Sequence, residues 1–591
     1  MRMFRASLLV LLIALTLSPL SAFSNQQKIF SLDSDVYSAI QTLYIAQGLS
    51  LPSTTGPYSQ AELALMLTKL KPDNLRGSLA ATYDYVVQQL DIQPKVLGDG
   101  IGLSWNLDVN LEAYYHTDTT NFTGRDTWER GYIDQKPLLA IGLETWPADH
   151  FYGYSEFTVA NTNTLENGFG TTPFASNVIM LPPALMPDLD FNMPYRAFVA
   201  AGGDHWTFQL GRDRLNWGAG TSGNLMLSDT LKYHNMARLT TFSDKFKYTF
   251  VASFFPHPSS YFDTPTNSQT DGPLLGDGQG SVLKGIYMFM AHRLEWRMLQ
   301  DKLGLTVTES IMYQSEENLL DLRIFNPAMI FHDYYIRSNA NSILGFELDF
   351  TPFRGLNIYA QVAVDEFSLP GEPVPSATVT NYPNTFGYLA GIQGVLPMKK
   401  HVGYASLEFA YTDPYLYLRY ASTSEPDTSA YDAYGIQYVG VIREFTNYQG
   451  TRYNPEFLGY TYGNDALVVN LNGGVKSFGR WSVSSNIFYM AHGTFDMFTI
   501  WDRVGGSTGS PLVTTPTDNG GDSAGNYNDN TYASRNAVSY TFVAGVNGSY
   551  QLTNGLSVFG QVDYISISNY KNKSGVTAGD VQLTLGAMYR I

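Results

Sequence analysis

Residues 101–116 read Ile101-Gly102-Leu103-Ser104-Trp105-Asn106-Leu107-Asp108-Val109-Asn110-Leu111-Glu112-Ala113-Tyr114-Tyr115-His116. Ile101, Leu103, Trp105, Leu107, Val109, Leu111, Ala113 and Tyr115 fall on one face, and the intervening, mostly polar residues fall on the other. A period of two is the period of a strand. The run is longer than a usual soluble sandwich strand. It has the length of a tilted strand that crosses a bilayer, with lipid on one side and water on the other.

The pattern returns down the chain. Trp206, Phe208 and Leu210 alternate with Thr207 and Gln209; Phe246, Tyr248 and Phe250 with Lys247 and Thr249; Leu344, Phe346, Leu348 and Phe350 with Gly345, Glu347 and Asp349. Leu356, Ile358, Ala360 and Val362 follow a tight turn at 352–355, and Asn554-Gly555 marks another hairpin turn. The last run carries Val581, Leu583, Leu585, Ala587 and Tyr589 on one face. Short turns are expected at 147–150, 202–204, 352–355, 397–400 and 553–555, and long polar loops at 161–192, 256–280, 314–341, 367–384 and 503–536. Counting the runs gives roughly 16–18 antiparallel strands, an even number being the rule for such barrels. A barrel that wide has a lumen for water or folded-in loops.

Composition agrees. Of 591 residues only 15% are charged, while 14% are aromatic. The mean hydropathy is −0.14, and no long apolar run of the kind a helical membrane protein needs appears after the N-terminus. With no cysteine, disulfides, thiolate metal sites and Cys nucleophiles are excluded. A net charge of −17 argues against nucleic acid as a partner.

The N-terminal part reads differently. Arg2 and Arg5 precede an apolar Leu8 to Leu17 stretch too short to span, followed by small residues near Ala22 and Ser24, so residues 1–24 are expected to be a signal peptide. Residues 25–97 read as a small periplasmic helical domain, with the barrel over 98–591. Val36, Ile40, Leu43 and Tyr44 keep helical spacing, Ser59-Gln60-Ala61-Glu62 is a capping box, and Tyr83 to Ile92 suggest a further helix.

Few motifs carry chemistry. Gly218-Ala219-Gly220-Thr221-Ser222-Gly223 fits a dinucleotide fingerprint in letters only, since no helix pattern follows it. His332 and Asp333 stand without a second His at ligand spacing, and nothing singles out a nucleophile, so no metal, no cofactor and no enzymatic activity is expected. Arg212, Arg214 and Trp217 gather at a strand end. Trp stacks on sugar and Arg forks onto hydroxyls or carboxylates, which suits a glycan. The alternative is an internal network pairing Arg212 and Arg214 with Glu347, Asp349 or Asp365. Arg212 continues the inward set of Gln209's neighbours only if the register holds, and a bulge here would rotate it.

The stretch 212–228, and above all 325–367, resembles the capsule assembly (Wzi-type) outer-membrane family. The resemblance is carried by Gly211-Arg212, Trp217-Gly218-Ala219-Gly220, Gly223-Asn224-Leu225, Arg293-Leu294-Glu295-Trp296, Phe325-Asn326-Pro327, Phe331-His332, Asn339, Asn341, Leu344-Gly345, Gly355-Leu356, Tyr359, Gln361, Asp365 and Phe367. Ala219 stands where the family favours Pro, and Asp365-Glu366 where it favours two Asp. The resemblance implies an 18-stranded monomeric barrel in the outer membrane that binds or organises surface or capsular polysaccharide without catalysis. Arg212, Arg214, Trp217, Asn326, His332 and Asp365 are then the expected ligand-binding set, with outer-membrane lipid as the other partner. A porin-like channel for small hydrophilic solutes, or a surface adhesin, shares the same polar lumen and loops.

Overall fold

A computed structural model describes residues 25–91, 93–98, 101–122, 136–161, 173–177, 189–190, 196–256, 286–315, 340–367, 384–418, 437–446, 450–495, 514–518 and 535–591. The expected signal peptide and most of the long loops lie outside them.

Eighteen antiparallel strands form a closed meander. The first, Ile101–His116, pairs with the last, Thr577–Arg590, from Gln582↔His116 to Arg590↔Asp108. Phe151–Asn161 pairs with Ala197–Gly203 and completes the ring. Burial is inverted relative to a soluble protein. Ile101, Leu103, Trp105, Leu111 and Tyr115 are exposed, whereas Asp108, Asn110, Glu112 and His116 are buried. Apolar side chains that face outward around the whole ring have only hydrocarbon to contact, so the wall is that of an outer-membrane β-barrel.

All five expected short turns lie at one end of the barrel, joined by others such as Leu299 to Lys302. Three helices sit across that end: α1 (Asp35–Gln47), α2 (Gln60–Thr68) and α3 (Ser78–Leu90). Val36, Ile40, Leu43, Leu63, Met66, Val86 and Leu90 make their shared core. Ser34 caps α1 by accepting from Val36 N, and Gly48 ends it with φ 83°. The capping box at Ser59 is half formed. Ser59 Oγ accepts from Glu62 N at 3.2 Å. The Glu62 carboxylate turns away to Lys247 in the wall, a buried ion pair that outcompetes the local bond. Burial nonetheless raises the Glu62 carboxyl above its usual range, against the pull of Lys247.

The helical layer is stitched to the barrel rather than hanging from it. Gly355 N donates to Ile45 O (2.8 Å), Ser50 N to Asp301 O (2.8 Å), and Lys476 Nζ to Ser38 Oγ (2.7 Å). The chain between α1 and α2 then enters the lumen.

Candidate functional site: the interlocked lumen and the loop-bearing rim

Inside the barrel, Ser53, Thr54 and Thr55 meet a buried charge cluster on the wall. Arg293 is the centre. Its guanidinium donates to both oxygens of Glu347 (2.6 and 2.8 Å), to Thr308 Oγ1 (2.9 Å), and to Thr54 and Thr55 Oγ1 (2.6 Å each). Glu295 accepts from Ser53 Oγ (3.1 Å), Thr54 N (3.2 Å) and Arg297 (3.0 Å). Lys247 Nζ donates to Thr55 O at 2.8 Å and Arg238 to Pro57 O. Five hydrogen bonds fill the donors of a planar guanidinium, so Arg293 holds the plug and has no donor to spare for a ligand.

From the opposite side, residues 214–233 fold inward and pair with this segment. Asn216 and Trp217 lie against Gly56 and Thr55 as two antiparallel strands, and Gly218 N donates to Thr54 O at 2.7 Å. Gly218 has φ +134°, and a Cβ there would stand 2.0 Å from Asn224 Oδ1, so only glycine fits the crossing. The six-residue glycine motif has a definite job. Thr221 N and Ser222 N donate to Glu408 (2.7 and 2.8 Å), and Tyr359 OH donates to the same carboxylate at 2.7 Å. These amides enclose a carboxylate of the chain itself, not a phosphate. Asn224 ties the turn, accepting from Gly220 N (2.9 Å) and Gln361 Nε2 (2.6 Å).

A second inward segment packs on the first. Tyr417 N donates to Asp365 Oδ2 (2.6 Å), Tyr417 OH to Leu225 O (2.6 Å), and Tyr460 N to Tyr417 Oη (3.0 Å). The hairpin of Val439–Thr446 and Gly450–Phe457 lies beside it, with Thr230 Oγ1 donating to Phe457 O at 2.7 Å. Trp217, Leu225, Met226, Leu227, Tyr417, Tyr438 and Tyr460 share one buried core.

The six sequence-derived positions therefore separate. Trp217 is fully buried in the interlock, with the Arg293 guanidinium 5.7 Å from its ring. Asp365 is buried and anchors Tyr417. Arg214 does not pair with Glu347, Asp349 or Asp365; it bridges Asp33 (2.9 Å) and Asp229 (3.3 Å). Arg212 faces out of the barrel, because pairing runs unbroken through Trp206–Asp213 and no bulge rotates it. There it donates to Asn235 Oδ1 (3.1 Å) and stacks 3.9 Å from the Tyr233 ring. Asn326 and His332 lie outside the described residues. The internal charge network exists, but Arg293 and Arg297 supply its cations.

At the end opposite the short turns, polar knots fix the rim. Asp580 Oδ1 accepts from Thr117 N (2.7 Å), Thr117 Oγ1 (2.8 Å) and Asp118 N (2.8 Å). Asn572 Nδ2 donates to His492, Gly493 and Ala537 carbonyls at 2.9–3.0 Å. Between these knots Tyr570 lies 6.2 Å from Phe122, with Lys571 Nζ 5.4 Å from its ring. Burial, with the neighbouring Lys573, lowers the affinity of Lys571 for its proton. An aromatic face beside two cations is chemistry that suits a sugar carrying carboxylates.

A third knot predicts a pH response. Asp465 accepts from Thr517 N (3.0 Å) and Phe495 N (3.2 Å), and burial pushes its carboxyl up to about 7. The folded state thus holds this proton more tightly than the unfolded chain, and the stability it confers is lost as pH rises from the usual carboxyl range through about 7. Hydrogen-exchange protection of the Phe495 and Thr517 amides, corrected for intrinsic rates, is expected to be higher at acidic than at alkaline pH, with Asp465→Asn removing the dependence. Equal protection in the native chain at both pH values would refute the assignment.

No family model and no curated protein matches the sequence. Among solved structures, the chain is similar to Wzi of Escherichia coli, described as an outer-membrane protein involved in group 1 capsule assembly and a carbohydrate-binding β-barrel. The TM-score is 0.54 at 13% identity, over 95% of this chain and 98% of that one. The fold is shared almost end to end. More distant barrels include the outer-membrane channel DcaP of Acinetobacter baumannii (TM-score 0.35, 10% identity, 85% and 100% covered) and opdK of Pseudomonas aeruginosa (0.36, 10%, 83% and 99%).

Proposed function

We propose that this chain is a plugged outer-membrane barrel that binds or organises a surface polysaccharide without catalysis, as a monomer whose helical layer faces the periplasm. The observation that carries this reading is the interlock. Two segments entering from opposite ends pair at Thr55 and Trp217, and their polar groups are satisfied by the wall. A lumen occupied in this way is a rigid support for an outer surface rather than a bore. The likeness of fold to a carbohydrate-binding barrel supports the same reading.

The contact surface we favour is the rim around Tyr570, Lys571 and Lys573. Of the six sequence-derived positions, Arg214, Trp217 and Asp365 act in this reading as braces. Detergent-solubilised protein is expected to be retained on immobilised acidic capsular polysaccharide, and Lys571→Glu combined with Lys573→Glu to release it. Trp217→Ala tests the brace role: it should loosen the helical layer before it affects retention. Failure of the native chain to be retained on any surface polysaccharide would remove the reading.

A further inference from the structure

A groove of about 870 Å³ runs across the outside of the wall where the first and the last four strands meet. Two hydrogen-bonded rows flank it. One is Trp481, Tyr550, Val558, Ala587 and Leu111; the other is Val483, Gly548, Gly560, Leu585 and Ala113. Side chains of the row between them, such as Phe559 and Glu112, point to the lumen, where Lys136 meets both. Main chain therefore makes the floor. The walls are Trp481, Tyr550 and Leu111 on one side and Val483 and Leu585 on the other. Gly548 and Gly560 supply the depth, since neither has a Cβ to fill it.

The groove begins at the short-turn end, and its mouth is basic. Arg480 precedes Trp481 in one turn. His401 of the adjacent turn packs edge-on against the Trp481 ring at 4.8 Å, and Lys399 and Lys400 precede it. Lys399, Lys400 and Arg480 are exposed, and none is in an ion pair among the described residues. In a chain with a net charge of −17, three such cations beside an interfacial Trp and Tyr are a local reversal of sign.

We propose that the groove seats an acyl chain of an anionic glycerophospholipid from the leaflet at the short-turn end, with its phosphate held by Arg480 and the Lys399-Lys400 turn. Continuity with the lipid-facing wall selects a hydrocarbon occupant, and the charge at the mouth selects an acidic headgroup. Tyr550 and Trp481, each with an apolar body and a polar tip, mark the level where chain gives way to headgroup.

Purified full-length protein, delipidated in detergent and incubated with equimolar phosphatidylglycerol and phosphatidylethanolamine, tests this by native mass spectrometry. Retention is expected to favour phosphatidylglycerol, by roughly fivefold for each cation engaged. Gly548→Leu with Gly560→Leu fills the groove and should abolish retention of both lipids. Both positions face lipid, and the nearest contacts of an added Cβ are 3.3 and 3.2 Å, so the barrel should still close. Heat-modifiable migration checks that it does. Arg480→Glu with Lys399→Glu and Lys400→Glu should instead keep binding and lose the preference. Equal retention of the two lipids by the native chain overturns the proposal. So does an unchanged preference after charge reversal, or full retention after the groove is filled.

Discussion

Reconstituted into planar bilayers, the full-length chain is expected to carry no steady current, whereas a variant lacking all three lumen fillers should conduct like an open pore. An empty barrel of this strand number encloses an aqueous channel. Here residues 49–58 enter from the short-turn end and 214–233 from the other, meeting at Thr55 and Trp217. A third filler, Tyr417 with the hairpin of 439–457, packs on them, so the variant removes residues 25–95 and replaces 215–232 and 414–464 each with a short Gly-Ser linker. All three changes are needed, because any one segment alone still occupies the cross-section. The wall should survive them, since its seam joins Ile101–His116 to Thr577–Arg590 and uses none of the three segments. A steady, porin-sized current from the intact chain would support the channel reading and defeat the plugged one.

The second large effect concerns Arg293. Its side chain is fully buried and bound to Glu347 through two bonds. Arg293→Ala leaves the Glu347 and Glu295 carboxylates short of a cation in a dehydrated site, which costs roughly 3–5 kcal/mol. The loss should fall on plug docking before wall closure, because Thr54 and Thr55 lose their donor together. Trypsin cleavage at Lys69 and Arg76 reads this directly, alongside thermal unfolding in detergent. Arg293→Met with Glu347→Leu removes both charges and should recover much of the loss, since paired replacement of a buried ion pair is often close to neutral. If the single variant resists trypsin as well as the native chain does, the cluster does not hold the plug.

The wall was legible because its signal is local. Alternation in residues 101–116 needs no knowledge of the neighbouring strand, and turn residues at 352–355 and 553–555 punctuate it. The helices were legible for the same reason, through spacing and the Ser59 cap. The interior was not. Trp217 and Asp365 were noticed as residue types and through a family resemblance, but their partners, Thr55 and Tyr417, lie far away in sequence. Gly211-Arg212 invited an inward reading that unbroken pairing overturns. Glu408 and Asp580 gave no signal at all. Each is a lone polar residue on a strand or beside its end, and Thr117 reaches Asp580 across 463 positions. Patterns of period two report which face a residue occupies, not which distant group it meets there.

The bridge between Thr55 and Trp217 also makes the two ends of the barrel mechanically continuous. Glu408 grips the turn next to Trp217, while the other strand of the bridge leads, on its two sides, into α1 and α2. Displacing that turn from one end would strain the bundle at the other, with no strand of the cylinder needing to slide. By reciprocity, if a ligand at the opposite rim shifts the bridge and so changes the affinity of whatever docks on the bundle, that partner changes the ligand's affinity by the same free energy.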